Sequence, residues 1–420
     1  MRTLVLAGVL ALLPVAAAPQ SPQLPAPDTL PGGARWTAEV PPNWNGTLLL
    51  WSRGYSSNVG NPEAAPKAIR AELLAAGYAL AGSDYGSGGW ALAEAIPAQR
   101  ATIAAFAARH GKPRRIIGWG YSMGGLVTTA LAEQRVPIID GGAALCASIG
   151  GATGMMNMAL DGAFAFRTLV APDSDIRVTG IDDDRANGAR VDAALAAAIS
   201  SPQGRARVAL AGVLAGLPGW SNASAPEPAP ADYAAQVVQM ARSFTMGVYL
   251  PRVDQERRAG GIFSWNTGVD YRAQLALSGR RALVARLYRD AGLDLDGDLA
   301  RLNAAPRIAA QPGAVAYMMR NYTPTARPHV PLLAVQKVGD GATSPSLQRG
   351  YAEAARSRGV QSLWLREAGH CNFTGAQVLA SIRHVEARLA TGRWPARPAG
   401  FVTHTPPPML RPCVSGGRCR

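Results

Sequence analysis

The apolar positions of this chain fall into two patterns. Short, mostly apolar runs occur at residues 47–51, 116–119, 143–149, 331–338 and 360–365, and another opens the glycine-rich stretch 77–89. Runs of this length without polar alternation predict strands buried on both faces. Stretches of helix formers follow several of them, at residues 126–134, at 347–358 and beyond 373. Between 151 and 328 the pattern changes: apolar residues recur at helical spacing over 191–199, 206–215, 233–246, 271–277 and 281–291, with a loop rich in Pro, Ala and Ser at 218–230.

The turn between run 116–119 and the helix at 126–134 reads Gly120-Tyr121-Ser122-Met123-Gly124, a G-x-S-x-G pattern. With 46 glycines among 420 residues, the pattern alone decides little. Its setting decides more, because Gly stands at the two positions where a tight strand-to-helix bend leaves no room for a Cβ atom. Such a bend exposes the central hydroxyl, so Ser122 is a candidate nucleophile rather than a plain helix cap, with Gly120, Tyr121 and Gly124 forming its elbow.

A serine hydroxyl is almost un-ionised at neutral pH and needs a base and an orienting acid. Of five histidines, His110 and His384 lie among helix formers beside arginines, His329 lies between prolines, and His404 is in a Pro-rich tail. His370 sits in Glu367-Ala368-Gly369-His370-Cys371-Asn372-Phe373, a small-residue loop between a predicted strand and the final helix, and is the candidate base. Asp340, in Gly339-Asp340-Gly341 at the end of run 331–338, is the candidate acid. Asp140 precedes its strand and reads as a turn residue. Asp84 precedes the serine and reads as a structural loop aspartate. The glycines around it are followed by no Lys-Ser/Thr and open no G-x-G-x-x-G helix, so nucleotide binding is not indicated.

In this chain order Ser122, Asp340 and His370 resemble the nucleophile, acid and histidine of the α/β-hydrolase superfamily, over most of residues 36–150 and 328–395. The resemblance implies an α/β fold: a mostly parallel central sheet flanked by helices, with a mainly helical cap inserted after the sixth core strand. The expected division is a signal peptide at 1–18, a Pro-rich segment at 19–35, the core at 36–150 and 329–397, the cap at 151–328 and a tail with a small Cys loop at 398–420. In that family the backbone N–H after the nucleophile, here Met123, is one oxyanion donor. The other comes from the loop after an earlier strand, here Ser52-Arg53-Gly54-Tyr55-Ser56-Ser57, which makes Tyr55 or Gly54 the second donor. Many members carry His-Gly where this chain has Arg53-Gly54.

From the cap, Met155, Phe263 and Trp265 are candidate walls of a substrate pocket, within apolar and aromatic stretches that favour an uncharged, partly apolar acyl or alcohol group. Acidic runs at 182–184 and 294–298 lack the twelve-residue loop ending in Glu that calcium sites use, and read as solvated loop acids. No metal or organic cofactor is expected.

Residues 4–15 are apolar after Arg2 and are followed by three alanines, the pattern of a secretory signal cleaved near residue 18. The Pro-rich start that follows, 19–31, is expected to be disordered or to lie along the surface. No stretch reaches the roughly 18 apolar residues that span a bilayer. Export, to the periplasm or outside, fits four cysteines, which allow three pairings. Cys413 and Cys419 are expected to close a small loop, leaving Cys146 and Cys371, near the serine and histidine edge, to form the other bond, with two buried thiols as the alternative. The formal charge of +14 is spread along the chain without a basic stripe interleaved with aromatics, so no nucleic-acid partner is expected.

The function these features imply is hydrolysis of a small or oligomeric ester through an acyl-enzyme. Peptide or amide cleavage by the same three residues is the alternative, and a non-catalytic binding protein on the same fold is a third.

Overall fold

The structure, a computed structural model, describes residues 28–249, 251–356, 359–417 and 419. The expected signal segment and most of the Pro-rich segment lie outside the described residues. Among the described residues eight strands form one sheet: β1 (Asp28–Thr29), β2 (Arg35–Glu39), β3 (Thr47–Ser52), β4 (Ala79–Ser83), β5 (Arg115–Tyr121), β6 (Gly141–Leu145), β7 (Leu332–Gly339) and β8 (Val360–Ala368). Their order is β1-β2-β4-β3-β5-β6-β7-β8, antiparallel from β1 to β4 and parallel across the remaining five pairings. β3, β4, β6 and β7 are buried along their whole length, because helices cover both faces of the sheet and leave no polar side to alternate. This is an α/β-hydrolase fold.

Five helices flank the sheet: α1 (Lys67–Ala75), α2 (Leu92–His110), α3 (Met123–Ala132) and, after an insertion, α13 (Pro345–Ala355) and α14 (Gly375–Thr391). β6 is the short sequence Gly-Gly-Ala-Ala-Leu, and its small residues let helices approach closely: a Cβ on Gly141 would lie 2.8 Å from Val385 of α14.

The insertion between β6 and β7 is helical among the described residues: α4 (Gly151–Leu169), α5 (Asp184–Ile199), α6 (Pro202–Leu214), α7 (Tyr233–Val248), α8 (Val253–Ala259), α9 (Tyr271–Leu277), α10 (Arg281–Asp290), α11 (Leu295–Ala304) and α12 (Pro312–Tyr322). α5, α6, α7, α9 and α10 overlap the segments whose spacing predicts helices; α4, α8, α11 and α12 carry no such prediction. The apolar interior does not divide at residue 151. The first half of α4 (Ala152, Met155, Met156, Met158) and α12 (Ala314, Met318, Tyr322) pack into the cluster beneath the sheet, whereas the second half of α4 packs with α6, α7 and α10 in a separate cluster.

The first described residues and the tail both pack onto the sheet. Asp28 and Thr29 pair with β2 and Leu30 is buried, so the end of the Pro-rich segment is an edge of the sheet. At the other end Val402 pairs with Trp364 of β8, and Met409 fills a slot between α4 and α13. Cβ atoms on Gly154 and Gly350 would each lie 2.6 Å from the Met409 side chain. Two residues later Arg411 reaches α4, its Nη1 donating to Asp161 Oδ2 at 2.8 Å with both side chains fully buried. The tail is a strap across core and insertion.

Candidate active site

Ser122 lies between β5 and α3 with φ +56° and ψ −121°, a left-handed conformation that a non-glycine residue adopts only at a cost. Sterics around it explain the flanking glycines. A Cβ on Gly124 would sit 1.9 Å from the carbonyl oxygen of Ser52, and one on Gly120 would sit 2.4 Å from that of Gly124. No side chain fits at either position. Met123 opens α3, so its N–H has no acceptor within the helix and is free to meet a ligand.

The loop after β8 brings His370 Nε2 to 3.1 Å from Ser122 Oγ. Its Nδ1 lies 2.9 Å from Asp340 Oδ2 and 3.0 Å from Oδ1. Asp340 is fully buried at the end of β7, where its carboxylate also accepts the backbone N–H groups of Ala342 (2.9 Å) and Thr343 (3.0 Å) and the Thr343 hydroxyl (3.0 Å). These bonds fix the carboxylate plane. Burial alone would lower the His370 pKa, but the adjacent Asp340 charge and hydrogen bond outweigh it, so the imidazole titrates above its ordinary value.

Thr343 is a site residue that the sequence reading did not include. Its Oγ1 lies 2.9 Å from the Cys146 carbonyl and accepts from Gln336 Nε2 at 3.2 Å, tying the acid loop to β6 and β7. Only its place three residues after Asp340 could have marked it. A disulfide joins Cys146, which follows β6, to Cys371, with a Cα–Cα distance of 5.4 Å; a second joins Cys413 to Cys419. The sulfurs of Cys146 and Cys371 lie close to His370, but they are bonded to each other, so this group offers a metal ion only an imidazole.

Arg53 shapes the loop after β3. Its guanidinium donates to the carbonyls of Gly54 (3.1 Å), Asp84 (3.0 Å) and Ser87, and stacks 4.6 Å over Tyr85. The arginine thus clamps the loop carrying Gly54 and Tyr55 against the turn after β4. Gly54 faces the nucleophile: a Cβ there would lie 3.6 Å from Ser122 Cβ. Asp84 itself is a structural residue, bonded to the Arg35 backbone and side chain and to Gly86 N.

A cavity of about 380 Å³ opens over Ser122 and His370. Its walls include Tyr55 and Trp90 from the core, Met246 at the end of α7, Pro251, Ser148 and Thr343. Met246 is 49% exposed although apolar, as a residue at a cavity mouth can be. Among the described lining residues His370 alone can carry a charge. Met155, Phe263 and Trp265 are not among the walls, which corrects the sequence expectation. Met155 and Phe263 are buried in the core cluster, and the Trp265 ring lies under the Arg411 guanidinium.

The acidic runs are structural. Asp183 caps α5 through the N–H groups of Arg185 and Ala186, Asp182 pairs with Arg177, and Asp296 with Arg272. Asp298 is not solvated as expected: it is buried and receives Arg207 Nε at 2.8 Å and the Tyr288 hydroxyl at 3.1 Å.

No protein-family model matches the chain. Solved structures similar to it include a lipase in its open form (15% identity, 87% of this chain and 98% of that one, TM-score 0.39) and an esterase of Pyrococcus furiosus (12%, 91% and 97%, 0.40). A puromycin hydrolase matches at 12% identity, covering 89% of this chain and 40% of its own, with a TM-score of 0.37. The sequence is 31% identical over 408 residues to the o-phthalyl amidase of Xanthobacter agilis, with 87% of each chain covered. The protein is a member of the α/β-hydrolase superfamily and belongs to the family of that amidase.

Proposed function

We propose that the protein is a serine hydrolase that cleaves amides of small aromatic carboxylic acids, and esters of the same acids, through an acyl-enzyme. The observation that carries this reading is the unbroken chain from Ser122 Oγ through His370 to Asp340 at the floor of an apolar cavity. The relative's o-phthalyl amidase activity favours the amide over the ester put first by the sequence.

In this mechanism His370 Nε2 takes the Ser122 proton as Oγ attacks the substrate carbonyl, and Asp340 holds the imidazole and stabilises its cation. The oxyanion that forms meets the Met123 N–H and a second N–H from the clamped loop at Gly54 or Tyr55. The imidazolium then protonates the departing nitrogen, without which an amide C–N bond does not break. Water enters, loses a proton to His370 and releases the acid by the reverse path. Tyr55, Trp90 and Met246 suit an aromatic acyl group, and the walls offer hydroxyl-bearing residues, Tyr55 and Ser148, but no Lys or Arg among those described. The two disulfides, one beside the histidine and one in the tail, are compatible with work in an oxidising compartment, so the proposal includes export.

The test sets wild type and Ser122→Ala against 2-carboxybenzoyl and benzoyl anilides and the matching ethyl esters, with product read by chromatography. Amide turnover that disappears in the variant supports the proposal. Turnover of esters alone restores the ester reading, and no turnover of any substrate rejects both.

A further inference from the structure

A second cavity of about 300 Å³ lies behind the acid loop. Its walls come from the segment after α6 (Gly216, Leu217, Pro218, Gly219, Trp220), from Gln236 of α7, from the tail at His404 and Pro407, and from Arg280. Val338 and Pro345 line it too. These two residues bracket Asp340, while Ala342 and Thr343 of the same loop face the catalytic cavity. One loop therefore separates the two cavities.

Arg280 is the unusual member of this lining. Its guanidinium donates to the Leu217 carbonyl and, at 3.4 Å, to Gln236 Oε1, both neutral acceptors. No described carboxylate pairs with it, and burial, with nothing opposing, pushes its pKa down to about 10. Arg280 is half-buried, so it keeps part of its hydration; the part it has lost is costly for a cation without an anion, and a bound anion offsets that cost. The nearest acid on the wall, Glu227, is already engaged by Arg366 through both carboxylate oxygens, at 2.9 and 3.2 Å. His404, against the Trp364 ring, has its pKa lowered chiefly by burial and does not compete as a cation.

The remaining surface is apolar and stiff. Five prolines (Pro218, Pro228, Pro230, Pro345 and Pro407) and Trp220 line it. The Trp220 indole N–H is used internally, on the carbonyls of Asn222 and Ala225, which fixes the ring. A planar fork of N–H donors in an apolar slot matches a carboxylate carried on a flat apolar body. The volume stands at the small end of ligand pockets, room for one ring rather than a long chain.

We infer that this cavity is a binding site for a small aromatic carboxylate, held through its carboxylate by Arg280 and through its ring by Trp220 and the prolines, directly behind the loop that carries Asp340. The inference does not depend on the proposed reaction, and its test uses no turnover.

The probe is 4-bromobenzoate. Crystals of the otherwise unmodified Ser122→Ala protein grown with it should show anomalous bromine signal in the Arg280 cavity. Calorimetric titration should give an affinity that falls at least tenfold in Arg280→Gln and less in Arg280→Lys, which keeps the charge. Bromine found only over position 122, or an unchanged affinity in Arg280→Gln, overturns the inference. The crystallographic arm needs no Arg280 variant, so a misfolded Arg280→Gln does not shelter the idea.

Discussion

The Cys146–Cys371 disulfide ties the residue beside the histidine to the end of the strand next to the nucleophile strand, and places Cys371 Sγ 3.3 Å from His370 Nε2. Both cysteines have positive φ, +44° and +55°, so the loop is held in a backbone conformation that its own residues disfavour. Replacing both by Ala frees the histidine loop to relax away from Ser122. The expected result is a fall in kcat/KM of tenfold or more at a temperature where the variant is fully folded, beyond a stability loss of about 2–4 kcal/mol by denaturant titration. Full kcat/KM in the folded variant would show that the bond serves stability alone.

The His370–Asp340 contact sets a pH dependence. Only neutral imidazole accepts the serine proton, so activity rises with pH through the His370 pKa. Since Asp340 holds that pKa above the ordinary value near 6.5, the acid limb of kcat/KM should lie above 6.5. Asp340→Asn removes the charge and the preferred tautomer. Its rate should drop by about 10⁴-fold. The residual activity should have its acid limb at lower pH. A limb that does not move would assign it to another group.

Thr343 offers a milder perturbation. Thr343→Val deletes the hydroxyl bond to Asp340 Oδ2 but keeps the two backbone N–H groups on Oδ1. Gln336 Nε2 retains the Thr343 carbonyl at 2.8 Å but loses the hydroxyl oxygen it also donates to at 3.2 Å, which adds to the cost. The loss of one hydrogen bond to a charged group predicts about 1.5–3 kcal/mol, read as stability or as a decrease in kcat/KM of roughly ten- to hundredfold. The His370 pKa, followed by NMR, should change with it; a rate loss with no change in that pKa would place the effect elsewhere.

The parts of this site that were legible in the sequence are those where sterics allow few residue types. Contacts of 1.9 and 2.4 Å forbid a Cβ at Gly124 and Gly120, so the elbow is written in glycine, and strands covered on both faces are written in mostly apolar runs. α4 was not legible for a related reason. It is buried almost all round, so no polar stripe marks its helical period. The cavity walls were not legible because Trp90, Met246 and Pro251 meet only after the insertion folds over the sheet, and an apolar residue carries no local sign of which neighbour it will face. That is why Phe263 and Trp265 looked like equally good candidates and were packing residues instead.

The tail was the least legible element, since nothing in a Pro-rich ending announces a buried ion pair. Arg411 Nη1 meets Asp161 Oδ2 at 2.8 Å, its Nη2 donates to the Trp265 carbonyl at 3.0 Å, and the Tyr271 hydroxyl donates to Asp161 Oδ1 at 3.1 Å. Burial raises the Asp161 pKa while Arg411 and Tyr271 pull it back, so the carboxylate depends on a residue 250 positions away. Arg411→Met keeps most of the volume and removes the cation, leaving a buried acid with a single hydroxyl donor. Breaking one side of such a pair costs about 3–5 kcal/mol, whereas replacing both sides by apolar groups of similar size is often near neutral. Denaturant unfolding should therefore show a large loss for Arg411→Met and substantial recovery in Arg411→Met with Asp161→Leu. If Arg411→Met alone is as stable as wild type, the strap contributes through Met409 packing and not through its charge.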